Sequence, residues 1–560
     1  MTRVAGVDYG SDSVRVGVVD VATGRTVMSV SRAYPRWASG RFCDPAANRF
    51  RQHPLDHIET LEACFAEIAD ALGDDAVAAL AVDATGSSPC PVDAQGVPLA
   101  LDERYADDPD AMVWLWKDRS ASAEAARIQQ VLEGHDPDFT RYQGVYSSEW
   151  WWAKILRAAG VNPRIRTAAV SWLEHADWLP NMLVGADDVT RFARNACAAG
   201  HKALYNERLG GAIPSEVLAG IDPYLAAVGE TMRLPPLPAG SAIGTLSEEW
   251  ARRLRLSTRT VVGIGSLDAH AGGVGAGIDG RSMVKVMGTS TVDLFLTDYE
   301  TIEGRDLHRL CGIAENSIIP GALGGETSQA AFGDLFAWFA RVLSWPLDTL
   351  VLPLISADHG AEAADAVRAQ VRDAMLATLE REALTRSDDG IVALDWINGR
   401  RYPDVDEAAS AAITGLRIGH DAVDIYRSLV RAAVLGSKAI HQGLAAEGLV
   451  FDRVILVGGI AKKSPFICQS MADALDCEVF VSAEDEVCAV GSAIYAAAAL
   501  GVFPSVAAAQ ERIVGSFAAS YRPDPVGVER WHAAYADYRR VGMLLHGDAG
   551  APSRAFGAED

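Results

Sequence analysis

Positive charge is scarce in this sequence relative to negative charge. It has 50 Lys and Arg residues against 74 Asp and Glu residues, which gives a formal net charge of −24. Nucleic acids and anionic lipid surfaces attract proteins largely through positive charge. The balance disfavours both kinds of partner, and we expect neither nucleic acid nor membrane to bind.

Long hydrophobic runs and a signal-peptide pattern are also missing. The most apolar stretch, 494–503, is far shorter than the roughly 20 residues that span a bilayer. The first ten residues reach Asp8 before any long apolar segment begins. We therefore expect a soluble, cytoplasmic protein.

The 8 cysteines are scattered, and no two of them form a C-x-x-C pair. We expect them to be reduced and mostly structural, in line with the cytosol. A Walker A pattern is absent as well, which excludes a P-loop as the means of binding ATP.

What the sequence does contain is an alternation of strands and helices. Strand-like segments at 4–8, 14–19 and 25–30 lie so close together that they must be antiparallel neighbours. Apolar residues at three- and four-residue steps predict a helix over 58–72, and 77–82 predicts another strand. This order predicts an α/β protein.

A similar strand–turn–strand opening returns in the middle of the chain, over 283–296. This weak internal symmetry indicates two related domains. We expect one domain over 1–280, a second over 281–545 and a loose tail over 546–560, with a hinge near 272–280.

Both openings contain a turn rich in glycine and hydroxyl groups. Glycine lets the backbone approach a ligand, and hydroxyl and main-chain N–H groups can hold phosphate oxygens there. An aspartate at the start of the first turn can orient a hydrated Mg²⁺. An ordinary hairpin is the alternative for either turn alone. The candidate phosphate-binding residues are Asp8 (also the candidate metal ligand), Gly10, Ser11, Ser13 and Arg15 in the first turn, and Gly288, Thr289 and Ser290 in the second.

Two further segments have features suited to ATP-dependent chemistry. The stretch 457–464 follows a strand and precedes a helix, and its glycines permit close approach to a base or ribose; a plain strand-to-helix turn is the alternative. Asp268 follows the glycine-rich stretch 263–267, and phosphoryl transfer needs a group that can accept the attacking hydroxyl's proton. A helix cap is the alternative role for Asp268. The candidate adenosine-binding residues are Gly458, Gly459 and Lys462.

The two phosphate turns and the Gly-Gly segment together resemble the ATPase fold shared by actin, hexokinase and the heat-shock chaperones. Within that fold the chain resembles the FGGY carbohydrate kinases over residues 4 to about 500. The resemblance implies two ribonuclease H-like α/β domains, each a mixed sheet flanked by helices, with a cleft between them. It also implies ATP and Mg²⁺ as cofactors, and it makes Asp268 the general base.

The resemblance also assigns the sugar side. The loop 83–89 resembles the family's sugar loop, and 114–118 resembles its polyol-binding segment, where an indole wall and charged groups suit a small sugar. With 13 tryptophans in the chain, a core role for the indoles is a serious alternative. The implied sugar contacts are Gly86, Trp116, Lys117, Asp118, Lys202 and Glu326.

Several segments resemble the L-ribulokinases within that family, namely 8–15, 34–37, 42–45, 50–54, 146–154, 199–202, 288–291 and 332–339. This implies conversion of L-ribulose and ATP to L-ribulose 5-phosphate and ADP in L-arabinose catabolism. Kinases for D-ribulose, xylulose or ribitol are the nearest alternatives. A sugar-independent ATPase of the same fold and a catalytically silent sugar sensor are the others. Many members of the family are dimers, which makes a homodimer an expectation by analogy.

Overall fold

The computed structural model describes residues 2–305, 307, 312–386, 390–402, 405–406 and 408–547. The chain forms two compact units. The first consists of Met1–Gly280, Leu294–Glu326 and Ala483–Ser516, and the second of Arg281–Asp293, Thr327–Ser482 and Phe517–Asp560. Compactness groups residues by proximity and not by function, so the division into functional domains at residue 280 stays a prediction. Of the predicted tail, 548–560 lies outside the described residues.

Most strands are short, and the longest lie near the N-terminus. The strands are β1 (Arg3–Tyr9), β2 (Ser13–Asp20), β3 (Arg25–Ala33), β4 (Cys43–Asp44), β5 (Arg49–Gln52), β6 (Ala79–Ala84), β7 (Pro89–Val92), β8 (Val113–Trp114), β9 (Ser171–Glu174), β10 (Ala242–Thr245), β11 (Val261–Gly263), β12 (Ser266–Leu267), β13 (Ser282–Met287), β14 (Thr291–Thr297), β15 (Gly312–Glu315), β16 (Leu323–Gln329), β17 (Val392–Ala393), β18 (Ile413–Thr414), β19 (Arg453–Val457), β20 (Glu478–Ser482) and β21 (Phe517–Tyr521).

The helices vary widely in length. They are α1 (Pro35–Ala38), α2 (Pro54–Leu72), α3 (Ser122–Leu132), α4 (Trp151–Val161), α5 (Pro163–Ala168), α6 (His175–Val184), α7 (Ala196–Ala203), α8 (Ser215–Ile221), α9 (Pro223–Glu230), α10 (Glu248–Leu254), α11 (Asp268–Gly275), α12 (Tyr299–Ile302), α13 (Gly333–Pro346), α14 (Leu352–His359), α15 (Ala361–Ala383), α16 (Ala422–Ala446), α17 (Gly459–Lys463), α18 (Pro465–Leu475), α19 (Val487–Ala499), α20 (Val506–Ile513) and α21 (Pro525–His546).

The first unit is built on a mixed sheet with the order β10–β11–β6–β1–β2–β3, and β12 also pairs with β6. The pairs β1–β2 and β2–β3 are antiparallel, as their short connections predict. By contrast, β6 runs parallel to β1, β11 and β12. Helices α2, α6 and α19 pack against these strands. The predicted α/β class, the three N-terminal strands and the helix over 58–72 are confirmed.

The second unit has its own mixed sheet. Strand β19 runs parallel to β13 on one side and to β20 on the other, and β21 closes the edge antiparallel to β20. Helices α16, α18 and α21 pack together in this unit. Helix α16 begins with a capping box in which Asp421 and Asp424 exchange side-chain and backbone hydrogen bonds.

Close packing of helix α19 depends on glycine in the first unit. A Cβ atom on Gly6 of β1 would overlap the Ala489 carbonyl of α19, and one on Gly491 would overlap the Ala271 carbonyl of α11. A Cβ on Gly275, in α11, would overlap the Val487 carbonyl. Glycine at these positions therefore permits close helix packing, and the hinge near 272–280 stays a prediction.

The described residues bear on two sequence-based expectations, which concern membrane-spanning helices and the cysteine thiols. The helical stretch Gly333–His359 is long and apolar enough to cross a membrane, but length and composition alone are a weak indication. Seven cysteines in the described part carry free thiols, and Cys311 lies outside it.

The packing of α19 leads to a stability prediction. Gly491→Ala should lower the free energy of unfolding by roughly 1–3 kcal/mol, because the new methyl group must displace the α11 backbone. Gly220→Ala in α8 is the matched control, because its Cβ would meet open space. Thermal unfolding of both variants tests this, and equal melting temperatures would contradict it.

Candidate active site

Strand register brings three carboxyl groups to one edge of the first unit's sheet. Asp8 of β1 lies opposite Arg15 of β2 and beside Asp83 of β6. Ser266 of β12 pairs with Asp83 on the other side of β6, and Asp268 follows β12 directly. Because parallel strands end at the same edge, the register places Asp8, Asp83 and Asp268 together. Asp83 was absent from the predicted site residues.

The first phosphate turn joins β1 to β2. The Gly10 N–H donates to the Ser13 carbonyl over 3.1 Å, which closes the turn. Arg15 Nη1 donates to Asp8 Oδ2 over 2.9 Å, and Arg15 Nε lies 3.3 Å from Glu486 Oε2. Ser11 Oγ accepts a hydrogen bond from the Trp116 indole over 2.9 Å. The turn is therefore tied to the predicted sugar segment.

Burial raises the pKa of all three carboxyl groups. The pKa of Asp268 rises to about 6, first through burial and then through the Asp8 charge. Burial also raises the pKa of Asp8, while the Arg15 guanidinium opposes the rise. Asp83 is fully buried, and its pKa lies well above the usual range because burial and the Asp8 charge act together. Asp83 thus carries the proton of the Asp8–Asp83 pair, and its Oδ2 accepts from Ser492 Oγ over 2.5 Å.

The same cluster contains donors that could hold a metal ion. Asp8, Asp83 and Cys488 each place a potential ligand atom within 4.8 Å of the others. Mg²⁺ takes oxygen ligands and rarely binds a thiol. The two carboxyl groups fit Mg²⁺, provided that Asp83 gives up its proton, whereas Cys488 does not.

Buried Lys202 and half-buried Glu326 form an ion pair, with Lys202 Nζ 2.5 Å from Glu326 Oε1. The imidazoles of His201 and His270 approach the same carboxylate at 3.9 and 3.6 Å. Burial raises the pKa of Glu326, but the Lys202 ammonium outweighs burial and holds it well below its usual range. Burial also lowers the pKa of His270 to about 4, so this ring is neutral at pH 7.

The Lys202–Glu326 pair belongs to the surroundings of Asp268. The Lys202 charge lowers the pKa of Asp268, and the Glu326 charge raises it. Asp268 is the first residue of α11, and its Oδ1 accepts from the Ala269 N–H over 2.7 Å. The carboxylate therefore makes a local contact typical of a helix start while it faces charged partners.

The predicted sugar loop follows β6. A Cβ on Gly86 would overlap the Leu267 side chain of β12, so a larger residue there would have to displace that side chain. Thr85 Oγ1 and Ser88 Oγ lie 3.0 Å apart, and Glu174 accepts hydrogen bonds from the Ser87 hydroxyl and the Ser88 N–H. These hydrogen bonds connect the loop to the end of β9.

The other predicted sugar segment has mixed surroundings. Trp116 is half-buried, and Lys117 Nζ lies 5.0 Å from the ring centres of Trp37 and Phe50. Asp118 is fully buried and accepts hydrogen bonds from protein donors, which are Arg51, the Phe50 N–H, the Ser120 N–H and the Ser120 hydroxyl. These contacts support a structural role for Asp118. They do not favour a direct contact between Asp118 and sugar, which stays a prediction.

The second phosphate turn lies in the second unit, between β13 and β14. Gly288 N donates to the Ser290 carbonyl over 2.9 Å, and Thr289 O accepts from the Phe332 N–H over 2.8 Å. The start of α13 therefore supports the turn, because Gly333 N also donates to Gly288 O.

The Gly-Gly segment of the second unit divides its two glycines between different tasks. Gly458 has a φ of +110°, and a Cβ there would overlap the Met287 carbonyl, so it is needed for the backbone path. Gly459 begins α17, and no described atom lies within 4 Å of its Cβ position. Lys462 is exposed on the same short helix.

Comparison with known proteins identifies close and distant relatives. A model described as the FGGY family of carbohydrate kinases, C-terminal domain, matches residues 283–500. A ribulokinase of Vibrio parahaemolyticus is 37% identical over 97% of this chain and 96% of its own length. A ribulokinase of Shouchella clausii is 32% identical over 96% of this chain and 94% of its own length.

Solved structures show the same fold at lower identity. A xylulose kinase from Rhodospirillum rubrum has a TM-score of 0.77 at 20% identity and covers 97% of this chain and 99% of its own. A glycerol kinase from Plasmodium falciparum, solved with ADP, has a TM-score of 0.74 at 15% identity, with coverages of 97% and 98%. At such identities the likeness shows the fold alone.

The protonated state of Asp83 can be tested through stability. As pH rises from Asp83's ordinary pKa of 3.8, the unfolded chain ionises while the folded chain keeps the proton, so folding becomes less favourable. Asp83→Asn removes this pH-dependent loss. Its melting temperature should therefore exceed that of the wild type at pH 8 by more than at pH 4.

The Asp365→Asn variant is the control for loss of a surface carboxyl group, because the Asp365 side chain is 69% exposed. An Asp83→Asn variant that loses stability equally at both pH values would contradict a protonated Asp83.

Proposed function

The chain belongs to the FGGY family of carbohydrate kinases, and from that premise we propose that it transfers the γ-phosphoryl group of ATP to ribulose. The narrower proposal is L-ribulose as substrate and L-ribulose 5-phosphate as product, in L-arabinose catabolism. The observation that carries the phosphoryl-transfer proposal is the placement of Asp268 beside the Lys202–Glu326 pair in the first unit, whereas the choice of L-ribulose rests on the family resemblance. Mg²⁺, a cytoplasmic location and a homodimer are parts of the proposal that rest on the family resemblance.

Asp268 is proposed to accept the proton of the attacking sugar hydroxyl. A pKa of about 6 leaves the group ionised at neutral pH, yet makes it a stronger base than an ordinary aspartate. In a loose phosphoryl-transfer transition state, the proton leaves late, so a modest base is sufficient. Burial supplies this tuning, because the charged form of Asp268 is poorly solvated.

Lys202 and Glu326 are proposed to orient the sugar. The ammonium can donate to a carbonyl or hydroxyl oxygen, and the ionised carboxylate can accept from a hydroxyl group. Their ion pair holds both groups in place before the sugar arrives, which reduces the ordering cost of binding. Gly86, Trp116 and Lys117 complete the proposed sugar site.

The phosphates of ATP are proposed to contact Arg15 and the hydroxyl-rich turns at 10–13 and 288–290. The Gly458–Lys462 segment is proposed to contact adenosine. Asp8 and Asp83 would hold Mg²⁺, which neutralises phosphate charge during transfer. The arrangement supports phosphoryl transfer to a polyol-like acceptor and leaves the choice among ketopentoses to experiment.

Replacement of the proposed base gives the first test. Asp268→Asn should lower kcat by roughly two to four orders of magnitude, because the amide cannot accept the hydroxyl proton. In the wild type, kcat/KM should fall about tenfold per pH unit below pH 6, since the carboxylate is protonated there. Steady-state kinetics from pH 5 to 8 measure both effects. Near-normal turnover by the folded variant would remove Asp268 from the mechanism, and Asp365→Asn provides the control for loss of a surface charge.

Replacement of Lys202 tests the sugar side. Lys202→Met should raise the KM for the sugar by roughly tenfold or more, because a buried donor is lost and Glu326 is left without its partner. The KM for ATP should stay within a few-fold. Initial rates at varied sugar and varied ATP separate the two constants, and a change confined to the ATP constant would overturn the assignment.

A further inference from the structure

We propose that Lys154 and Glu174, two buried charged residues behind the sugar-binding segments, are positioning residues that fix the shape of the sugar site. The inference rests on the proposed function, since it concerns the loop at Gly86 and the segment at Trp116. Neither residue was among the predicted site residues. Both act through other groups, because both side chains lie away from solvent.

Lys154 binds together two segments that are distant in sequence. Its Nζ atom donates to the carbonyl oxygens of Ser87 at 2.7 Å, Leu115 at 2.8 Å and Trp116 at 3.3 Å. An ammonium group has three N–H bonds, so these three contacts use all of them. One side chain on α4 thereby fixes the separation between the loop after β6 and the segment after β8.

Glu174 holds the same loop from the end of β9. Its carboxylate accepts from the Ser88 N–H over 2.7 Å and from the Ser87 hydroxyl, and the His175 N–H donates to the Ser88 carbonyl. The Ser87 hydroxyl and the Ser88 N–H and carbonyl groups are thus all hydrogen-bonded to protein groups. The loop cannot shift without breaking charge-assisted hydrogen bonds, which are about twice as strong as neutral ones.

The cost of burying these two charges indicates why they matter. Burial lowers the pKa of Lys154 to about 7 and raises that of Glu174 to about 7, so the interior disfavours both charged forms. Apolar residues of similar volume often stabilise a core more than buried charges do. A buried ammonium is useful here because three main-chain carbonyls face it, and these carbonyls belong to the segments that border the sugar.

The two fixed segments contact the reacting parts of the first unit. The Trp116 indole donates to Ser11 in the first phosphate turn. Gly86 packs against Leu267, the residue before Asp268. A small displacement of either segment would therefore misplace the sugar relative to the base, and displacements of about 1 Å can cost on the order of a hundredfold in rate.

The experiment compares three variants of the full-length enzyme in sugar-dependent ADP release. Lys154→Met removes the donors at similar volume, Glu174→Gln keeps the shape but removes the charge, and Arg157→Met is the control. Arg157 lies on the same helix, has 40% of its side chain exposed and forms an ion pair with Glu124. Sugar KM should rise roughly tenfold or more in the first two variants, while ATP KM stays within threefold.

Chemical rescue separates positioning from general stability. Lys154→Ala leaves a space beside three carbonyls, and added ethylammonium is a small amine that can donate to them in place of the lost ammonium group. Ethylammonium should lower the raised sugar KM of this variant part of the way back to the wild-type value, but it should not do so in Lys202→Met. If the Lys154 variants do not fold, the Glu174→Gln variant decides the question, because its sugar KM should rise while its ATP KM does not.

Several outcomes would overturn the inference. They are a folded Lys154→Met variant with unchanged sugar KM, an equal rise of sugar and ATP KM, or a loss of melting temperature without a kinetic effect. A wild type without sugar-dependent turnover would instead refute the proposed function, so the two failures are distinguishable.

Discussion

Parallel pairing of β6 with β1 and β12 is the constraint on which the candidate site depends. It places Asp8, Asp83 and the residue before Asp268 on adjacent strands at one sheet edge. Three carboxyl groups so close together cannot all ionise without cost, because burial and mutual repulsion both disfavour the charge. The Arg15 guanidinium offsets the charge of Asp8, and Asp83 keeps its proton. Asp268 is then the carboxyl group whose pKa lies near neutral pH.

The second feature is the way charge is balanced around Asp268. Lys202 supplies one positive charge, and the Glu326 carboxylate largely neutralises this charge through a short ion pair. His201 and His270 stay neutral because burial disfavours their protonation, so they add no further positive charge. The result is a donor and an acceptor held beside Asp268, the proposed base, which is an arrangement suited to a polyhydroxylated substrate.

Local patterns in the sequence were enough to predict much of the fold. Alternation and short connections gave the antiparallel order of β1, β2 and β3, and the three- and four-residue steps gave α2 within a few residues. The loop positions of Gly86 and Gly288 also followed from local pattern. Roles for individual residues came from the family resemblance and stay proposals.

Features that depend on register and tertiary packing could not be predicted in the same way. Asp83 was visible as a strand-ending aspartate, but only the alignment of β6 with β1 places it beside Asp8. Lys154 stands on the apolar face of α4, where sequence alone offers no reason to expect a buried ammonium. Asp118 was predicted to contact sugar, and its hydrogen bonds with Arg51 and nearby N–H groups depend on tertiary packing that no local pattern shows, so the sugar contact stays a prediction.

The most direct test of the account is ADP release with Mg-ATP against L-ribulose, D-ribulose, L- and D-xylulose, ribitol and glycerol, with a control lacking sugar. The account predicts fast release with L-ribulose and very slow release without sugar, because Asp268 needs a bound hydroxyl to act upon. Preference for another sugar would still support kinase activity but would contradict the assignment of ribulose as the substrate. Equal release with and without sugar would contradict the central claim.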